Sequence, residues 1–169
     1  MKDLETSSVV VSRNYKDTVF RKLFQDEKTL LHLYNAVMCT DHKHLDDFQI
    51  TGTENPIYIG MRNDVAFIAD LQVHIYEHQS TVNPNMPLRD LFYVTQLYGR
   101  YLKEKNIFST AMIKIPAPHF IVFYNGKQTQ PESVEYRLSD LYEVKSPPFQ
   151  MELIVRVINI NVGCNEKLV

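Results

Sequence analysis

Three side chains have types and spacing that could do chemistry: Glu77 and Gln79, in the run HIYEHQS at 74 to 80, and Asp64, in NDVAF at 63 to 67. Two carboxylates and an amide make an oxygen-rich donor set of the kind hard divalent cations favour. Water held on such a cation can serve as a nucleophile. The same run offers a second chemistry. His74, Glu77 and His78 match H-x-x-E-H, in which two imidazoles hold zinc and the glutamate is the base. That chemistry needs residues 74 to 78 on a helix, so that both histidines share a face. The stretch alternates like a strand instead, and Pro84 leaves no room for a long helix. Along a strand His74 and His78 would stand about 13 Å apart, too far to share a metal. The zinc reading predicts tightly bound zinc in the purified protein, and the sequence argues against it.

The carboxylates depend on how the neighbouring runs pair. NDVAFIAD and QVHIYEHQ are both rich in β-branched and aromatic residues, and only Asp70 and Leu71 separate them. If those two residues form the turn of a hairpin, Ala69 pairs with Gln72, Ile68 with Val73, Ala66 with Ile75, Asp64 with Glu77 and Arg62 with Gln79. Side chains alternate along a strand, so all these pairs share one face. Carboxylates directly opposed across a ladder have Cβ atoms about 4.5–5.5 Å apart and repel one another. A shared proton, Arg62 or a bound Mg²⁺ could offset the repulsion. The plain alternative is a strand end at which Asp64 or Glu77 is simply solvated, and geometry alone leaves both readings open.

The surrounding chain bounds the answer. Its 169 residues suit one domain with a core able to fold alone. A formal net charge of −2 gives no global basic field, which weakens a nucleic-acid reading without removing it, because local patches matter more than the sum. Cys39 and Cys164 make neither a disulfide framework nor a zinc knuckle and read as reduced thiols of a cytoplasmic protein. The apolar run Val9 to Val11 is too short for a signal-peptide core, and no stretch approaches a membrane span. INVGCNEKLV, at 160 to 169, ends as though a helix were about to begin, as in a fragment of a longer protein.

The elements that must position the site follow from periodicity. Residues 1–13 read as a flexible leader. Val19, Phe20, Leu23 and Phe24 recur at helical spacing behind Asp17, a potential cap. A second helix is expected from about Asp26 to Met38, burying Leu30, Leu31, Leu33, Tyr34 and Val37. DHKHLDD at 41 to 47 reads as a polar loop and IYIG at 57 to 60 as a short strand. Pro87 suits the first turn of a helix whose stripe is Leu88, Leu91, Phe92, Thr95, Tyr98, Tyr101 and Leu102. HFIVFYNGK at 119 to 127 reads as a buried strand running into an Asn-Gly turn, and QMELIVRVINI at 150 to 160 as the last strand. This order implies an α/β or α+β domain around a mixed sheet, with residues 14–162 as the domain and 163–169 as the start of a truncated segment.

Several stretches, in order, resemble the recombination-promoting nuclease and transposase family of the PD-(D/E)xK nuclease superfamily. KDTVFRKLF at 16 to 24 is similar to its opening helix, RNDVAF at 62 to 67 to its aspartate strand, and IPAPHFIVFYNG at 115 to 126 to its proline-led strand. EHQSTVNPNMPLRDLFYVTQLY at 77 to 98 is similar to its most recognisable signature, an E-x-Q strand end followed by a loop and an arginine-bearing helix. The resemblance implies a restriction-endonuclease-like α/β core, a mixed sheet flanked by helices. It also implies Mg²⁺-dependent DNA endonuclease activity, with Mn²⁺ able to substitute, in DNA recombination or transposition. Asp64 and Glu77 then match the metal-binding acids, and Gln79 stands where the superfamily usually has lysine, to position water or the scissile phosphate. Asn63 occupies the place of the usual proline-aspartate's proline. Because glutamine can only hydrogen-bond, a catalytically weak or inactive nuclease-fold module for DNA binding or assembly is the competing expectation.

Other residues are candidates of lower rank. Arg62, Arg89 and Arg100 could meet the DNA backbone, giving salt-dependent binding. Arg89 could equally pair with Asp90 or Asp17. Asp17 reads first as an N-cap, and Glu54 has only a loop context. His78 points away from the acids and reads as packing, His42 and His44 as a solvated loop. The ten tyrosines read as core and rim, with some able to stack bases. DNA is the expected partner, membranes are not, and a homo-oligomer is compatible with the chain.

Overall fold

A computed structural model of the chain describes residues 15–24, 26–44, 64–166 and 168. The expected leader, the short strand at 57 to 60, Glu54 and Arg62 lie outside the described residues. The element order is α1 (Tyr15–Leu23), α2 (Glu27–Met38), β1 (Asp64–Ala69), β2 (Gln72–Gln79), α3 (Met86–Tyr101), β3 (Ala117–Tyr124), β4 (Ser133–Arg137) and β5 (Ile154–Asn159). A 3-10 turn, Leu138–Leu141, follows β4. The five strands form one mixed sheet in the order β1-β2-β3-β5-β4. β1 and β2 are antiparallel, β2 and β3 parallel, β3 and β5 parallel, and β4 closes the edge antiparallel to β5.

Strand alternation sends two sets of side chains to opposite faces of this sheet. Ala66, Ile68, Val73, Ile75, Val122, Tyr124, Val155 and Val157 form one core with Met86, Val94 and Leu97 of α3. Val65, Phe67, Tyr76, Ile121, Phe123 and Ile158 form the other with Phe20 of α1 and Leu30, Leu31, Tyr34 and Val37 of α2. The result is helix, sheet, helix, with the central strands covered on both sides. This is why β2 and β3 read as nearly continuous apolar runs.

The local rules account for most boundaries. Asp26 caps α2 by accepting from the Thr29 amide at 2.9 Å, and Cys39 closes that helix in the left-handed conformation, its φ being 56°. Pro87 lies in the first turn of α3, where its missing N–H costs nothing. Asp17 departs from expectation. It lies within the first turn of α1, after the helix has begun at Tyr15, so it is not the N-cap residue. β4 is also new: its exposed Glu135 and Arg137 mark it as a short, charged edge strand, the usual guard against edge-to-edge pairing.

The Asn125–Gly126 pair departs as well. β3 and β4 are not neighbours in the sheet, so the turn closes no hairpin. Gly126 is needed for space instead, since a Cβ there would collide with the Ser80 carbonyl oxygen and the Tyr124 hydroxyl.

Candidate functional site

The hairpin supplies the site's frame. β1 and β2 pair in the register Asp64↔Glu77, Ala66↔Ile75, Ile68↔Val73 and Ala69↔Gln72, as the two-residue turn requires. Asp70 and Leu71 form that turn, both with positive φ, 50° and 61°. These values match the mirror-image turn that suits the right-handed twist of paired strands. Neither residue is glycine. Asp70 is anchored by its side chain, whose Oδ2 accepts from the Tyr34 hydroxyl at 2.6 Å and lies 3.3 Å from His42 Nε2. His42 therefore docks on the hairpin turn and is no mere solvated loop residue, whereas His44 is exposed.

Positions 64, 77 and 79 lie on the α3 face of the sheet, in line with Ala66, Ile68, Val73 and Ile75. The backbone of Asp64 is described and its side chain is not. Glu77 is 1% exposed. Its Oε1 accepts from Arg89 Nη2 at 3.0 Å, and its Oε2 accepts from Gln79 Nε2 at 2.9 Å. A buried carboxylate without compensation would be very costly, so the guanidinium is a structural necessity as long as Glu77 is ionised. Arg89 comes from the first turn of α3. It also donates to the Tyr93 hydroxyl at 3.1 Å and stands over the Tyr93 ring at 5.7 Å. Of the partners expected for Arg89, Asp90 feels its charge without an ion pair between them among the described residues, and the Asp17 side chain lies outside what is described.

A second acid lies beside this pair. Asp90 is 1% exposed and its Oδ1 has no hydrogen-bond partner among the described residues. Burial pushes its carboxyl up to about 8, the Glu77 charge adds to the rise, and Arg89 opposes it. Asp90 is therefore largely protonated at neutral pH. Sequence reasoning treated it only as a partner for Arg89. The available signal was the stripe of α3, in which Asp90 falls between the apolar positions Met86 and Val94 (spacings of four).

Arg100 is exposed in the last turn of α3, 11 residues and about 16 Å of helix beyond Arg89. It is not brought to Glu77. The histidines are disposed against a shared metal. His74 is fully buried on the α2 face, stacked on Phe67 at 5.1 Å and on His119 at 5.1 Å. Burial, reinforced by His119, drives its pKa down to about 3, so it is a neutral core ring. His78 packs near Phe20, 5.7 Å between centroids, while Glu77 faces the other side of the sheet. With residues 74 to 78 inside β2, the H-x-x-E-H arrangement cannot form.

Among the described residues no three His, Cys, Asp or Glu side chains converge as a metal-binding group. The ladder register pairs position 64 with Glu77, and the buried Glu77 carboxylate is met by the Arg89 guanidinium. Carboxylate oxygens are hard donors of the kind that cations such as Mg²⁺ favour. Comparison with protein-family models, with curated proteins and with solved structures finds no match. No helix among the described residues is long and apolar enough to cross a membrane.

Proposed function

We propose that the chain is a Mg²⁺-dependent DNA endonuclease, built on a PD-(D/E)xK-like core and acting in recombination or transposition. The observation that supports it is the register: Asp64 is the ladder partner of Glu77, a buried acid held by Gln79 and Arg89. Asp64 and Glu77 would hold the ion. When bound, Mg²⁺ would lower the pKa of a water and stabilise charge on the phosphoryl oxygens. Gln79 fixes Glu77 Oε2 through its amide N–H, leaving its own carbonyl oxygen to orient a water. Arg89 pairs with Glu77 in the free protein and, half-buried at the start of α3, would offer its guanidinium to a phosphate oxygen when the cation is bound. The buried face excludes bulk water from one side of Glu77.

The occupied carboxylate favours one rival. With both Glu77 oxygens already hydrogen-bonded and no lysine at position 79, a DNA-binding module without catalysis is the second reading. Plasmid nicking with Mg²⁺ or Mn²⁺ separates the two. The nuclease reading expects nicking by the wild-type protein and none by Asp64→Ala or Glu77→Ala. Nicking that persists in both variants at the wild-type level, or DNA binding with no nicking by any protein, would overturn it.

A further inference from the structure

A groove opens one residue beyond Gln79. It has a volume of about 480 Å³ and is lined by Lys16, Ser80, Thr81, Asn125, Lys127 and Gln128, with Val82, Tyr124 and Gly126 completing its wall. Three elements build it. Ser80 and Thr81 continue the chain from β2, 125 to 128 leave the adjacent parallel strand β3, and Lys16 arrives from α1.

The joints are specific. The Asn125 amide donates to the Gln79 carbonyl oxygen at 2.9 Å. The Tyr124 hydroxyl donates to the Gln128 carbonyl oxygen at 2.9 Å and accepts from the Gln128 amide at 3.0 Å. Lys16 Nζ donates to the Asn125 carbonyl at 3.1 Å and to its Oδ1 at 2.8 Å. An ammonium carries three N–H groups, so this anchoring leaves Lys16 one donor and its full charge. Lys127 is exposed, and neither lysine makes an ion pair among the described residues. The floor is held close because position 126 is glycine, which lets the turn rest on the Ser80 carbonyl.

We infer that this groove is a subsite for a backbone phosphate of the nucleic-acid strand that passes Glu77 and Gln79. A groove lined by two lysines and two hydroxyl-bearing residues suits a tetrahedral anion, and contacts of this kind set register without reading sequence. Thr81 is two residues from Gln79, no more than about 7 Å of chain, comparable to one phosphate step along a strand. The groove would therefore take a phosphate neighbouring the one at the acids. This inference rests on DNA as the ligand of the proposed function, but not on cleavage.

The test is fluorescence anisotropy of the full chain with a labelled 30-base-pair duplex, in EDTA, across a salt series, with Mg²⁺-dependent nicking measured in parallel. Each lost phosphate contact lowers the slope of log K against log salt by about 0.9. Lys127→Gln is expected to reduce the slope by about that amount, and Lys16→Gln with Lys127→Gln by about twice as much. Lys103→Gln, an exposed lysine beyond the far end of α3, should leave it unchanged. Lys127→Gln alone suffices if the Lys16 variant fails to fold. Unchanged slopes with intact nicking overturn the groove and leave the nuclease. Slopes that fall as expected in a protein that never nicks uphold the groove and overturn the nuclease. A wild-type protein that binds no duplex overturns the groove outright.

Discussion

Arg89 and Glu77 form a salt bridge of 3.0 Å between the first turn of α3 and the end of β2, with the Glu77 side chain 2% exposed and the Arg89 side chain 31%. It ties the covering helix to the strand that carries the candidate chemistry. The pair therefore belongs to the fold and the site at once.

Truncating Arg89 leaves a buried carboxylate whose one remaining hydrogen-bond partner among the described residues is Gln79. Breaking such a pair from one side costs about 3–5 kcal/mol, and the partial exposure of Arg89 puts the expected loss for Arg89→Ala near about 3 kcal/mol. Urea unfolding at pH 7 measures it. Removing both charges with Glu77→Gln and Arg89→Met should cost clearly less than Arg89→Ala alone. An equal or greater loss would show that Arg89 acts through packing on Tyr93 and Met86, not through charge.

Asp90 makes stability depend on pH. Its folded-state pKa, about 8, lies above the ordinary carboxyl value of 3.8, so between those limits the folded chain binds a proton that the unfolded chain has released. Stability from this group is complete below about pH 4 and falls as pH rises, levelling off above about pH 8. The unfolding free energy, from urea unfolding at each pH, should therefore drop between pH 5 and 8 by an amount on the order of a few kcal/mol. Asp90→Asn should flatten that slope and be the more stable protein at pH 8. A slope that persists in the variant would assign the titration elsewhere.

The hairpin turn holds strain that can be relieved. Leu71 has a φ of 61° and is 49% exposed, so its side chain contributes little packing while occupying a region costly for residues with a Cβ. Leu71→Gly trades roughly 1–2 kcal/mol of backbone strain against the larger entropy of the unfolded glycine. A net gain of about 0.5–1 kcal/mol is expected by urea unfolding. Loss of stability would mean that Leu71 packs at the hairpin end in a way its exposure does not reveal.

The register of the hairpin was legible because it depends on two local things: the two residues between β1 and β2, and an alternation that would expose the core if it slipped by one. Once Asp70 and Leu71 are the turn, Asp64 must meet Glu77. The same local signals placed α2 and the span of α3, but not the buried face of α3, which runs through Met86, Asp90, Val94 and Leu97 and leaves the expected Leu88, Phe92 and Thr95 exposed. Tertiary choices were not legible. The partner of Arg89 depends on how α3 lies across β2, which no local pattern encodes. The protonated state of Asp90 depends on burial produced by that same packing. β4 escaped notice because a five-residue edge strand with charged alternate positions resembles a polar loop. Asn125–Gly126 looked like a hairpin turn by composition, while its glycine answers a close approach between β2 and β3 that only the folded sheet creates.

Gln79 gives the sharpest test of what the site does. Its Nε2 donates to Glu77 Oε2 at 2.9 Å, so it holds the acid from one side while Arg89 holds it from the other. In the nuclease reading Gln79 positions and does not supply charge. Gln79→Ala should then slow Mg²⁺-dependent nicking by about 10- to 1000-fold, the scale of one transition-state hydrogen bond, with little change in duplex affinity. Gln79→Lys keeps a donor to Glu77 and adds a cation for developing phosphate charge, so it should match or exceed the wild-type rate. Gln79→Glu sets a second carboxylate against Glu77 Oε2 and should lose both nicking and stability. Single-turnover nicking and urea unfolding on the same three proteins decide the matter. Equal nicking by all three would remove Gln79 from the machinery, and a site that ignores the residue touching its central acid would not be the site of cleavage.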